Sequence, residues 1–509
     1  MHPTRHGLWL IAAAAIFHCV AATAGTPPDA AHRELNDAIQ AMGGVKVLRH
    51  IQRVHLVAHG YRNMLEQSER PEGPWIPDFS HVDQQVDFAR HEVRTTVTGG
   101  QWTPPVETFV SNGVAVSVMQ PESEHPRTRP GRRTTVRQAG LRMALGPERV
   151  LLTALAASDL HAEPVTHLQH VPQKVLAFTW HKAPVRLFLN AYTALPTAVE
   201  ITRPHPCNIF WNLWGDVTTR IYYSFWSLEA GGLRYPMQWD VWRIGQHAST
   251  RFIDKLALNP PPSNKSPTIT EAERKAFQRQ GTIDQLPLRG KAKTIAPGMV
   301  LLPGPWNTTL VAQSDGIVVL EAPISAGYSH KVIEEAKRLF PDRPIKAVVT
   351  TSSSWPHVGG LREYVAERIP LYALDWNVPL VRQMLDAPHK MRPDALAQHP
   401  QSPHLHAVST RTVIGSGANR IVLYPARSDE GERMMFAYFP NHKLLYASDM
   451  VQPMPKGGLA FPEYLYEVAH VVAREGLEVD RVFAMHTPHP LPWKTIRHAI
   501  AKATTPASP

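Results

Sequence analysis

Ala347-Val348-Val349-Thr350-Thr351-Ser352-Ser353-Ser354-Trp355-Pro356-His357-Val358-Gly359-Gly360-Leu361 is the stretch on which the fold of this chain turns. Its first residues are apolar and β-branched, as a strand buried on both faces requires. A run of Thr and Ser then marks a bend, because short hydroxyl side chains bond to nearby backbone in place of a ladder. One His and a Gly-Gly pair follow the bend. A strand that stops abruptly at polar residues, with an imidazole just beyond it, is how αβ folds deliver chemistry to one end of a sheet. The three consecutive serines do not by themselves make a nucleophile. The only base in view is His357, and a polar bend accounts for them.

The flanking sequence alternates between hairpin and strand–helix–strand patterns. Thr309 to Gln313 and Ile317 to Leu320 flank Asp315-Gly316, a hairpin signal. Ser329 is the expected cap of a helix running to Phe340. Ile345 to Val349 is a buried strand and Leu361 to Ile369 a helix. Further strands are expected at Arg420 to Leu423, Met434 to Phe439, Lys443 to Ala447 and Arg481 to Ala484. Helices are expected from Tyr464 to Arg474 and from Trp493 to Ala503.

This frame resembles the metal-binding loop of the metallo-β-lactamase superfamily, whose motif reads His-x-His-x-Asp-His ahead of a Gly-Gly-Leu-like turn. Gly316 to Pro323 is similar to that family's opening hairpin. Asp342-Arg343-Pro344-Ile345-Lys346 enters the motif strand as in many members. Leu444 to Asp449 resembles the strand ending in the metal-bridging Asp, and His486 to Trp493 resembles the closing His with its Pro-Trp cap. The resemblance covers about 210 residues, from Ala296 onward. It implies an αβ/βα sandwich and, ancestrally, zinc-dependent hydrolysis.

The same alignment shows what has gone. Three His positions of the first zinc site fall on Ser352, Ser354 and Ser428, and the motif Asp falls on Pro356. A neutral hydroxyl is a poor zinc ligand, and proline offers no donor atom. His357, Asp449 and His486 remain from the second site. Two His and a carboxylate are a minimal shell for one weakly held zinc or iron ion. They lack the two-metal clamp of dinuclear hydrolysis. His330, His389, His404, His406 and His489, with Asp429 or Glu430, are candidate replacement ligands.

Ahead of this domain the period changes to two. Val54 to Ala58, Val82 to Phe88, Phe109-Val110 before Asn112-Gly113, Val175 to Trp180, Val185 to Asn190, Ala198 to Thr202, Thr218 to Ser227 and Gln238 to Ile244 read as strands. Helical patterns cover Asp29 to Leu48, interrupted at Gly43-Gly44, and Pro147 to Ala157. The expectation is a large antiparallel sheet with helical cover. The hairpin from Tyr222 to Pro236 loosely resembles the sheets of periplasmic lipoprotein carriers. Trp211, Trp214, Trp226, Trp239 and Trp242 fill either that sheet's core or an apolar groove. The class is therefore α+β: a β-rich domain over 25–258, a Pro-rich linker with a short helix over 259–295, and the metallo-β-lactamase-type sandwich over 296–505.

The first 24 residues read as a secretory signal peptide: a weakly basic start, an apolar run from Leu8 to Val20, and Ala22-Thr23-Ala24. His18 stands where a lipoprotein signal needs a small residue, so anchoring at Cys19 is not expected. The remaining chain keeps one cysteine, Cys207, which excludes an internal disulfide and suits the periplasm. No later run is long enough for a transmembrane helix. The net charge of +10 is dispersed. Its densest cluster, Arg127 to Arg133, is expected in an exposed, solvated loop, without any nucleic-acid motif. An unknown small molecule or envelope partner is the expected contact. The leading functional reading is a degenerate hydrolase serving as a binding or scaffold module. The alternatives are a mononuclear metal-dependent hydrolase using His357, Asp449 and His486, and a carrier of apolar ligands on the N-terminal sheet.

Overall fold

The computed structural model describes residues 28–67, 70–100, 106–119, 127–263, 266–431 and 433–505. The expected signal peptide, with Cys19, lies outside them. The first body is one antiparallel sheet of thirteen strands. Two meanders are joined where Arg53–Asn63 pairs with Gln246–Leu258, so the first and last strands of this region lie side by side. Its helical cover comes from Pro28–Ala41, Val45–His50, Arg133–Leu145 and Val150–Leu155. Leu35 and Ile39 of the first helix, and Met42 just beyond it, share a core with Val185, Leu187, Tyr235 and Trp239 of the sheet.

The second body is a four-layer αββα sandwich. A seven-stranded sheet begins as a meander from Lys293–Ala296 to Gly316–Leu320. It then continues in parallel through Ile345–Thr350, Leu371–Leu374 and Leu405–Val408. A six-stranded sheet faces it, antiparallel except where Leu444–Tyr446 runs parallel to Arg481–Phe483. The layer between the sheets is largely apolar, with Val318, Leu320, Val349, Leu423, Phe439 and Phe483 among its residues. Helices Ala326–Leu339 and Leu361–Ala366 cover the first sheet, and Pro462–Arg474 and Trp493–Thr504 the second. The α+β class and the sandwich are as expected from the sequence.

Two expectations need correction. The cap of helix Ala326–Leu339 is Ser325, not Ser329: its extended backbone lets the side chain accept from the Tyr328 N–H. Ser329 lies a turn inside the helix, fully buried against the Gly-Gly pair. The basic cluster is also not a loop. Arg127–Pro130 is an exposed edge strand on Val114–Met119, and Arg133 already begins a helix of thirteen residues. The Pro and Gly in the cluster mark only the corner between strand and helix.

The two bodies share a core. Trp211, Leu213 and Trp214 of the first body pack in one cluster with Trp355, Tyr328 and Tyr364 of the second. Trp355 meets Trp211 and Trp214 edge-on, at centroid distances of 4.9 and 5.1 Å. Its backbone N–H donates to the Glu66 carbonyl, and Asp216 accepts from the Lys390 and Met391 N–H groups. Trp211 and Trp214 thus fill the seam between the bodies rather than an apolar groove.

Candidate metal centre

Three strand ends converge on one point. Leu444–Tyr446 and Arg481–Phe483 are parallel neighbours with Tyr446 opposite Phe483. Asp449 and His486 each lie three residues beyond that pair. The facing sheet delivers the loop after Thr350, tied across by the Met435 N–H donating to the Thr351 carbonyl. His357 sits in the short helix Trp355–Val358 that follows. The next two glycines let this turn lie against its neighbours. A Cβ on Gly359 would fall 2.5 Å from the Ile324 carbonyl oxygen, and one on Gly360 would fall 1.9 Å from the Ser329 hydroxyl oxygen.

His357, Asp449 and His486 each offer one donor atom, all within 4.8 Å of one another. His357 Nε2 stands 3.7 Å from Asp449 Oδ2, and His486 Nε2 stands 2.5 Å from Asp449 Oδ1. No other such group of His, Cys, Asp and Glu occurs among the described residues. His357 is buried, while Asp449 and His486 are partly exposed, so the group opens on one side. Trp306 walls it, its ring 6.0 Å from that of His357 and 6.4 Å from that of His486.

Burial pushes the His357 imidazole down to about 4, with His486 adding to the effect and Asp449 opposing it. It is therefore neutral at physiological pH, the state a metal ligand needs. Burial alone would raise the Asp449 carboxyl, but His357 and the hydrogen bond from His486 outweigh it and hold it below its ordinary value. The carboxylate is charged and ready to bind a cation.

Ser352, Ser354, Pro356 and Ser428, the positions that the resemblance aligned with ligands, carry neither imidazole nor carboxylate. Ser352 Oγ lies 3.1 Å from His357 Nδ1 and also accepts from the Ser354 N–H. The Ser352 hydroxyl thus fixes the orientation of the His357 ring, leaving Nε2 for Asp449 and a metal. Ser354 is buried, and Pro356 supplies a carbonyl to the Ile324 N–H. The Ser428 hydroxyl is buried without a hydrogen-bond partner, so no ligand stands there. None of the candidate replacements joins the group. His330 pairs with Glu363 and His389 with Asp394, His404 packs on His406, and His489 contacts the Pro490 carbonyl. Asp429 is exposed, and neither it nor Glu430 belongs to the group.

The donor set fits one ion. Zinc holds N and O ligands at about 2.0–2.2 Å, so donors on one ion lie about 3–4 Å apart, and these need only small adjustments. A second ion would have to rest on the hydroxyls of Ser352, Ser354 and Ser428, which do not fit it.

Two residues of the neighbourhood escaped the sequence reading. Trp306 lies in a Pro-Gly-Pro-Trp-Asn loop that carried no motif. Its neighbour Asn307 donates to the Thr487 carbonyl, which ties the loop to the His486 strand end. Glu321 directly follows Gly316–Leu320, all of whose residues are buried, and is itself fully buried with φ of 75°. It accepts from the Thr351 backbone N–H at 3.2 Å and from Tyr446 OH at 3.1 Å, and is bonded to the Thr351 hydroxyl. An ionisable residue closing a wholly apolar strand was the signal available.

No protein-family model matches the sequence, and no curated protein does. Among solved structures, the chain is similar to the inverting sec-alkylsulfatase Pisa1 from Pseudomonas sp., with 16% identity and a TM-score of 0.32 over 41% of this chain and 40% of that one. A metallo-β-lactamase from Erythrobacter litoralis shows 15% identity and a TM-score of 0.31 over 41% and 94% of the two chains. The metallo-β-lactamase FIM-1 from Pseudomonas aeruginosa, in its mono-zinc form, shows 14% and 0.31 over 44% and 99%. The chain thus spans less than half of the sulfatase's length. The last two bear the name of the family that the motif strand resembles; likeness at this level says nothing of activity, and the fold rests on the topology described above.

Proposed function

We propose that the sandwich carries a single divalent metal ion on His357, Asp449 and His486, the remnant of a dinuclear centre, and that its reaction class is metal-dependent hydrolysis of a small molecule. The observation behind this is the meeting of the three donors at paired strand ends, with the buried imidazole neutral and the carboxylate charged. A metal there would polarise an oxygen donor and acidify a bound water. The chain's own residues do the rest. Ser352 sets the His357 ring, Trp306 keeps bulk water from one flank, and the partly exposed side between Asp449 and His486 admits the ligand.

Elemental mass spectrometry on the wild type and on His357→Ala/His486→Ala is the test, followed by turnover of ester, lactam and phosphodiester probes. About one equivalent of zinc or iron, lost in the double variant together with turnover, is expected. Metal-free wild type, or turnover that survives the double substitution, overturns the proposal.

One feature favours a second reading, a binding or scaffold module without turnover. Every residue from Thr351 to Gly360 is buried, and Trp355 is clamped by the first body. That reading expects metal without catalysis. The carrier reading is less favoured, because helices and apolar side chains pack much of the covered sheet face. Export to the periplasm, with an envelope small molecule or protein as partner, belongs to the same proposal and rests on the leader sequence alone.

A further inference from the structure

The covered face of the thirteen-stranded sheet holds a group of positive charges that the metal site does not use. Register places Arg203 opposite Val217, and Arg243 opposite Thr219, on three adjacent strands. Val217 is fully buried, so both arginines project from the covered face. Arg137, on helix Arg133–Leu145, reaches them from above and donates to the Pro204 carbonyl at 2.9 Å. His205 follows at the strand end, 9% exposed, its Nε2 buried without a partner. The Arg243 guanidinium lies 4.9 Å from the centre of the Trp211 ring, and its Nε is likewise buried and unpartnered.

Elsewhere in this body several arginines pair with acids: Arg94 with Glu107, Arg142 with Glu148, Arg186 with Glu163 and Arg220 with Glu200. Among the described residues, no carboxylate forms an ion pair with Arg137, Arg203 or Arg243. Burial lowers Arg203 to about 10, with Arg137 and Arg243 adding to it, and burial alone does the same to Arg243. His205 is driven far down by burial and then by the same three arginines, so it remains neutral. Desolvated guanidiniums that repel one another are costly to fold around, and an opposite charge among them would offset that cost.

We infer that Arg137, Arg203, Arg243 and His205 form a binding site for a tetrahedral oxyanion of the phosphate class, free or as the head group of a larger molecule. Guanidiniums present forked N–H donors that match such oxygens two at a time. A neutral His205 adds a further donor without further repulsion. The site stands on the first body's own residues and does not depend on the metal reading.

The test is calorimetric titration of the full-length protein in low-salt buffer with inorganic phosphate and, separately, n-octyl phosphate. Wild type, Arg203→Gln, Arg243→Gln and the His357→Ala/His486→Ala variant are compared. One saturable equivalent is expected for wild type, and a loss of affinity of at least about tenfold in either arginine variant, since each removes charge-assisted hydrogen bonds. Affinity should be unchanged in the histidine variant. Equal affinity for both ligands points to the anion alone, and tighter binding of octyl phosphate to a molecule with an apolar body. Without phosphate, the arginine variants should melt no lower than wild type, because each removes an uncompensated charge. Should a Gln variant fail to fold, Arg203→Lys keeps the charge but not the fork, and weaker phosphate binding is expected. No saturable binding by wild type, unchanged binding in the arginine variants, or loss in the histidine variant overturns the inference.

Discussion

Glu321→Gln probes the buried floor beneath the metal group. Burial raises the Glu321 carboxyl to about 8, against hydrogen bonds from Thr351 and Tyr446 that pull it down. The geometry agrees with a neutral acid. Thr351 has one hydroxyl proton, yet its oxygen is bonded both to Glu321 and, at 2.8 Å, to Ser448 Oγ. A protonated Glu321 that donates to Thr351 completes the chain, with Thr351 donating to Ser448 and Ser448 to the Thr351 carbonyl at 3.3 Å. In the variant, an amide NH2 in place of Oε1 would face the Thr351 hydroxyl and the Tyr446 oxygen, and the amide oxygen in place of Oε2 would accept from the Thr351 N–H at 3.4 Å.

A carboxyl whose folded value is raised above its ordinary 4.5 destabilises the fold as it ionises only in the unfolded chain. The penalty is absent below the ordinary value, grows as pH rises through the interval, and levels off above about 8. At about 1.4 kcal/mol per pH unit, it reaches about 3 kcal/mol at pH 7 and about 5 kcal/mol on the plateau. Urea unfolding of wild type and Glu321→Gln at pH 5, 7 and 8.5 reads this directly. The variant should gain on the wild type by these amounts as pH rises, whatever their difference at pH 5. A stability difference that stays constant from pH 5 to 8.5 would refute a neutral Glu321.

Four further outcomes are expected. Ser352→Ala leaves the His357 ring unoriented and should weaken metal affinity about 10–100-fold, as metal titration of the two proteins will show. Trp355→Ala opens a cavity against Trp211 and Trp214 and should cost about 3–5 kcal/mol in denaturant unfolding. Ser325→Ala removes the cap of helix Ala326–Leu339 and should cost about 1 kcal/mol, and Ser329→Ala should leave that cap intact, as amide protection of the first helical turn will report. Chelation should lower the melting temperature of the wild type but not of His357→Ala/His486→Ala, because only a protein that binds metal in its folded state is stabilised by it.

The sandwich was legible because its strands carry their burial in their composition. Ile345–Thr350 and Gly316–Leu320 are too short and too β-branched to be anything but central strands. His357, Asp449 and His486 were legible through the resemblance of their stretches to the metal-binding motifs of the metallo-β-lactamase superfamily. The new partner of Ser352 was not, since its bond to His357 depends on a bend whose shape the side chains themselves set. Nor was Trp306, which reaches the site through a loop held by Asn307. The arginines on the sheet face were hidden for another reason. Arg203 and Arg243 are far apart in the chain, and only strand register and the helix beginning at Arg133 bring them together with Arg137.

The wedge of Trp355 between Trp211 and Trp214 joins residues from distant parts of the chain into one apolar mass. Its consequence is hereditary as much as mechanical. Neither half can be recombined with a foreign partner without exposing an indole at the motif bend, so substitutions on the sheet side and around the imidazole must be accepted or rejected together. The pair, rather than either half, is the unit on which selection acts.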